Sequence, residues 1–191
     1  MRSMDGSDVD HALIEMVRVL SPYESRDWQV RAGSLDWSCW TTAAHVAHDL
    51  LAYAGQVAAQ PESAYLPFDL VIRTDTPPRD LLQVVVACGR LLSNALAAAG
   101  QDARAWHWGT TDPSGFAAMG VTEILVHTHD IAQGLGVSWL PPESLCAAVL
   151  ARLFPDAPDG DPVQVLLWST GRAELEGRQR VTSWVLKAAI D

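Results

Sequence analysis

Residues 112–136 read DPSGFAAMGVTEILVHTHDIAQGLG, and the fold turns on this stretch. Asp112 ahead of Pro113 is a helix start: its carboxylate can accept from first-turn N–H groups, and a proline there forfeits no helical hydrogen bond. Apolar residues then fill most positions up to Gly134 and Gly136, near which the helix should stop. The Gly-x-Gly itself has no preceding strand and no glycine-rich helix start, so it is a terminator and not a nucleotide cradle. Within the helix, Glu123 and His127 are four residues apart and share a face. A carboxylate and an imidazole so placed can contribute to one metal site, and both suit zinc or a similar divalent ion. The same spacing also describes an exposed pair worth roughly a few tenths of a kcal/mol. The Ile124-Leu125-Val126 run between them speaks for burial, where a carboxylate without a partner is costly. Asp130, three residues on, returns to that face; it could take the second ring N–H of His127, or be an ordinary polar residue of the last turn. His129 faces elsewhere and is expected to be exposed or bonded locally.

Two ligands hold a divalent ion poorly, so a third must come from another helix. The candidates are His45 and His48 in the segment 39–60, CWTTAAHVAHDLLAYAGQVAAQ, an Ala- and Leu-rich helix ended by Pro61. Asp49, four beyond His45, stands in the same open relation to it as Asp130 does to His127. Helical spacing of Leu13, Val17 and Leu20 predicts a first helix over 8–20, capped by Asp8 or Asp10. Pro77-Pro78 opens a third helix over 78–99, with Gly100 as its stop. With 113–134 these make four long helices, which predicts an all-α bundle over 8–136 within a single domain 1–191. Residues 137–191 are a C-terminal extension packed on it. Its helix runs from Pro141-Pro142-Glu143 to Phe154, and VQVLLWST is a helix end or a buried strand. Residues 171–191 receive no assignment, and 61–75 and 101–112 are connections.

The 191 residues are 49% hydrophobic with a formal charge of -10, which argues for a packed core and against a general nucleic-acid footprint. Lys187 is the only lysine; arginine elsewhere leaves open a few geometrically specific carboxylate or phosphate contacts. Cys39, Cys88 and Cys146 form no disulfide framework, and Cys39 and Cys88 are expected as small buried residues. The start of the chain lacks the pattern of a secretory signal, and no uninterrupted apolar run reaches about 18 residues. The expectation is therefore a cytoplasmic protein with neither membrane nor nucleic acid as partner. Trp37, Trp40, Trp106 and Trp108 flank the ligand segments as pocket walls or, more in keeping with bundle ends, as buried caps.

Trp37-Ser38-Cys39-Trp40-Thr41-Thr42-Ala43-Ala44-His45 resembles the W-[ST]-x6-H signature of mycothiol-dependent maleylpyruvate isomerase-like proteins. Residues 115–132 look like the second metal-binding helix of the same family, and the resemblance extends into LLWSTGR at 166–172. The family lies within the broader DinB-like group. The resemblance implies an up-down-down-up four-helix bundle holding one divalent ion, usually Zn2+, with Ni2+ or Fe2+ as alternatives. It places the ligands on His45, Glu123 and His127 and leaves His48 outside the set. It also implies mycothiol, or another low-molecular-weight thiol, as cosubstrate beside a small electrophile. The described isomerase has a larger C-terminal domain that contributes an arginine to its active site. Arg172 is the candidate here for an analogous anion contact, and a homodimer is compatible with the resemblance.

The leading functional expectation is a metal-dependent thiol transferase or isomerase, because coordination lowers a thiol's pKa. The same ligands would serve a hydrolase using metal-bound water, and a non-catalytic metal-binding or stress-response module is the third reading.

Overall fold

The computed structural model describes residues 3–190 and is built almost wholly of helix. Among the described residues there are six α-helices: α1 (Gly6–Leu20), α2 (Cys39–Ala59), α3 (Pro78–Ala98), α4 (Pro113–Gly134), α5 (Glu143–Leu153) and α6 (Pro162–Ser169). One two-stranded antiparallel ribbon, β1 (Ala105–Trp106) with β2 (Thr110–Thr111), interrupts the 101–112 connection. VQVLLWST is thus resolved as helix, started by Asp161, whose side chain accepts from the Gln164 N–H.

Two boundaries differ from the sequence expectation. α1 starts at Gly6, and its cap is Asp5, which accepts from the Ser7 N–H at 2.8 Å. Asp8 closes a reciprocal capping box by accepting from the Asp5 N–H at 3.1 Å. Asp10 instead accepts from the Ser93 hydroxyl of α3 at 3.1 Å. α3 ends at Ala98, one residue before the expected end, because Ala99 turns extended (ψ 135); Gly100 follows the cap without a left-handed φ.

α4 is the centre of the molecule. All eighteen residues from Gly115 to Ala132 are buried, which is the condition of a helix packed on every side. α1, α2, α3 and α5 pack on it, and α6 packs on α5. Cys39 meets Ile131 at one end of the α2–α4 pair and Tyr53 meets Phe116 at the other, so these two helices are antiparallel. Met4 meets Ser114 where α1 and α4 begin, Leu13 lies against Gly89 of α3, and Trp40 reaches Thr76 ahead of α3. α3 is long and apolar enough to cross a membrane by length and composition alone, but Leu81, Leu82, Val85, Leu92 and Leu96 are built into the core.

Two glycines close α4. Gly136 (φ +66) lets its own N–H reach the Gln133 carbonyl (3.0 Å) and the Val137 N–H reach Ala132 (2.8 Å), which satisfies the helix's last carbonyls. Gly134 is needed for a different reason: a Cβ there would run into the Arg31 carbonyl and come within 2.7 Å of Cys39 Sγ. The loop before α2 can lie on α4 only because that side chain is missing.

The unassigned tail 171–190 is largely irregular and is pinned back onto the helices. Arg152 of α5 donates to the Asp112 cap (2.8 Å) and to the carbonyls of Ala188 (2.7 Å) and Lys187 (3.2 Å). The Ile190 N–H closes on Thr110 at 2.9 Å.

Candidate metal centre

A helix buried all round must satisfy every polar side chain it carries. In α4, Thr122 and Thr128 turn their hydroxyls back to the carbonyls of Ala118 (2.8 Å) and Ile124 (2.6 Å). His129 is buried, not exposed; its Nδ1 faces the Trp139 carbonyl at 3.4 Å and its Nε2 accepts from Gln133 at 3.0 Å. It is fully used by local partners.

Glu123, His127 and Asp130 are satisfied in another way. His127 donates Nδ1–H to Asp130 Oδ2 at 3.0 Å, which turns Nε2 toward Glu123 Oε2, 3.2 Å away. From α2, His45 Nε2 arrives 3.5 Å from the same Glu123 oxygen. One donor atom from each of His45, Glu123 and His127 lies within 4.8 Å of the others. Donors 2.0–2.2 Å from a tetrahedral zinc stand about 3.4 Å apart, so the two glutamate–imidazole separations already fit that ion. Two neutral imidazoles and a carboxylate are a donor set that zinc and neighbouring divalent ions accept, and three protein ligands leave a position open.

Burial by itself would raise the Glu123 carboxyl, but hydrogen bonds and charge from His127 and His45 hold it well below the usual carboxylate range. Burial would likewise lower His127, yet Asp130 and Glu123 raise it to about 9. Without an ion, a proton on His127 therefore does the neutralising. Asp130, fully buried, would also be raised by burial; His127 and Arg172 bring it below its ordinary value instead.

Arg172 joins this chain from beyond α6. Its Nη2 donates to Asp130 Oδ2 at 2.9 Å, its Nε lies 3.3 Å from both carboxylate oxygens, and its Nη1 donates to the Thr170 carbonyl at 2.7 Å. A continuous line thus runs Arg172–Asp130–His127–Glu123–His45. The cluster floors a cavity of about 320 Å³, which Trp37, Val126, Arg172 and Trp184 help to line.

The structure brings His45, Glu123, His127, Asp130 and Arg172 together and sets His48 apart. The two ring nitrogens of His48 face Asp49 (3.1 Å) and Asp69 (3.3 Å) and not the cluster. Asp49 touches both histidines, with its other oxygen 3.5 Å from His45 Nε2. Of the four tryptophans, Trp37 is a pocket wall, its ring centroid 4.9 Å from that of His45. Trp40 is held by the Thr76 carbonyl (2.8 Å), and Trp108 is exposed on the ribbon turn. Trp184 was missed because it lies in the tail, where no periodicity or turn signal marks it.

The family model of the mycothiol maleylpyruvate isomerase N-terminal domain matches residues 9–132, which include His45, Glu123, His127 and Asp130. No curated protein and no solved structure matches the chain.

Proposed function

The chain belongs to the mycothiol maleylpyruvate isomerase N-terminal domain family, and from that premise we propose a divalent-metal-dependent enzyme that uses a low-molecular-weight thiol to transfer to, or isomerise, a small electrophile. Zinc is the ion and mycothiol the thiol in this reading. The observation that carries it is the convergence of His45, Glu123 and His127 on one point at the floor of an open cavity. A divalent ion held by those three residues would supply Lewis acidity and favour the ionised form of a thiol in the open position.

The chain's own groups have separate tasks. Asp130 accepts the Nδ1 proton of His127 and so keeps Nε2 as the donor atom. Arg172 holds Asp130 and, as a wall of the cavity, keeps remaining N–H capacity for negative charge that develops on a substrate. Trp37 and Trp184 narrow access for water. The nucleophilic sulfur comes from outside: burial pushes the Cys39 and Cys88 thiols up to about 11 and Cys146 up to about 12. In an isomerisation, the added thiol forms a C–S bond to an alkene carbon, the former double bond rotates, and loss of the same thiol restores it.

The pairwise helix meetings support an up-down-down-up DinB-like bundle for α1–α4. The burial of Leu145, Val149, Leu153 and Leu166 supports residues 137–191 as an extension packed on it in a single domain. Three free, buried cysteines support a reducing compartment such as the cytoplasm.

The test is loss of free thiol, with mycothiol, bacillithiol, glutathione and coenzyme A each offered beside a panel of electrophiles to the metal-loaded chain. Turnover with at least one thiol, abolished by metal removal and in Glu123→Ala, is expected. No turnover with any of the four would refute the thiol reading, and thiol-independent loss of an ester or amide would assign a hydrolase instead.

A further inference from the structure

Between α2 and α3 the chain runs Phe68-Asp69-Leu70-Val71-Ile72-Arg73 without bend, turn or left-handed residue. Burial alternates along it: Leu70 and Ile72 pack against the core, while Asp69, Val71 and Arg73 face out. A two-residue period with β-branched residues at 71 and 72 is the pattern of a half-buried strand. Yet no strand lies beside it. Among the described residues, neither the N–H groups of 69–73 nor the carbonyls of 68–72 bond to another backbone group outside the run.

The run is held in place at both ends by α2. Gln56 accepts from the Leu66 N–H at 3.1 Å, and Trp40 donates to the Thr76 carbonyl at 2.8 Å. The Phe68 ring lies over Gly55, where a Cβ would come within 3.0 Å of it. Pro67 bounds the run on one side, and the turn closed by the Thr76 N–H on the Arg73 carbonyl (3.0 Å) bounds it on the other. A groove of about 630 Å³ separates the run from Asp80, Gln83, Val84 and Ala87 of α3, so that edge faces open space.

An ordered strand with an unpaired edge is a template for another strand, and its own side chains say which. Val71 is 87% exposed and sits midway between Asp69 and Arg73. Two copies laid antiparallel about a twofold axis through Val71 set each Asp69 opposite the other copy's Arg73, with Val71 opposite Val71. Both charges are available: Arg73 makes no ion pair among the described residues, and Asp69, its side chain 84% exposed, meets only His48 at 3.3 Å. The other pairings fail. A shift of two residues sets Asp69 opposite Asp75, or Arg73 opposite Pro67, and a one-residue slip sets outward side chains against inward ones. A parallel alignment stacks Asp69 on Asp69 and Arg73 on Arg73. We propose that residues 68–73 are the docking edge for a second copy of this chain, which adds its own 68–73 as an antiparallel strand centred on Val71 and so forms a dimer. Neither the metal nor the thiol chemistry enters into it.

Sedimentation of the full chain from micromolar to millimolar concentration is the first measurement, since so short an interface makes a weak dimer. Where the dimer is populated, amide exchange followed by NMR should show protection at every second residue of 69–73, because only alternate N–H groups point across one edge. Asp69→Arg and Arg73→Asp each set like charges opposite one another twice per dimer and should weaken association by about tenfold. An equimolar mixture of the two variants should recover it, because one chain then presents two positive charges to the other's two negative ones. A monomer at every concentration would overturn the second copy as occupant and leave the edge to a strand of a different partner. A dimer indifferent to both variants, or lost in Ile14→Arg on the exposed face of α1 with no change in 69–73 exchange, would place the interface elsewhere. Failure of the mixture to recover association would overturn the register centred on Val71.

Discussion

Asp130→Asn separates the two duties of the buried line behind the metal centre. Asp130 is fully buried, and the Arg172 side chain is only 8% exposed, so the pair is not screened by solvent. The amide is nearly isosteric but neutral. Its oxygen can still accept from His127, while its NH2 group would face an Arg172 N–H across about the present 3.3 Å. A buried guanidinium left without its counter-charge costs about 3–5 kcal/mol, to be read from urea unfolding of the metal-free chain. His127 would also lose basicity, because the group behind its ring is no longer an anion. Loss of such an outer partner weakens metal binding about 10–100-fold, and the retained acceptor places the expectation near the lower end, about tenfold or 1.4 kcal/mol. Chelator competition for zinc measures it. Adding Arg172→Met should recover much of the stability, since no unpaired charge then remains, but none of the affinity. Unchanged zinc affinity in Asp130→Asn, or restored affinity in the double variant, would refute the idea that Asp130 acts on the metal through His127.

Alanine at His45, Glu123 or His127 should abolish stoichiometric zinc in chains that remain folded by circular dichroism, whereas His48→Ala and His129→Ala should retain it, as metal analysis after dialysis will tell. Because His127 holds its proton up to about 9 in the metal-free chain, zinc binding at pH 7 should release about one proton from it; calorimetry in buffers of different ionisation enthalpy reads this, and a release that does not decline toward pH 10 would contradict it. The sign for stability follows from the same shift. A histidine raised above its ordinary 6.5 stabilises the metal-free fold fully below that pH, and the contribution is lost as pH rises through about 9, so thermal melts should fall across that window. Gly134→Ala would force a Cβ against the Arg31 backbone and Cys39, lowering stability by about 1–3 kcal/mol and loosening zinc with it; a neutral melt would show that the contact yields freely.

The sequence by itself determined the four long helices and half of the metal centre. Asp112, Pro113 and Gly136 mark the ends of α4 by local hydrogen bonding, and Glu123 and His127 share a face by helical geometry, so neither needs knowledge of a distant residue. The choice of His45 over His48 was different. Both lie in α2, and residue spacing left them equal; resemblance to a family separated them before the packing did. In the fold, α2 presents His45 to Glu123 and turns His48 to Asp49 and Asp69, an orientation set by the apolar contacts of α2 with α4 and by the missing side chain at Gly134. Arg172 reaches the cavity because it lies just past α6 and is held by Asp130, and Trp184 lies in the tail that Arg152 and Ile190 draw back over the helices. The Tyr65–His107 pair joins residues 42 apart in sequence through the buried amide of Gln56. Local chemistry is written residue by residue, whereas a site that joins several helices and a tail exists only once burial has brought them to one place.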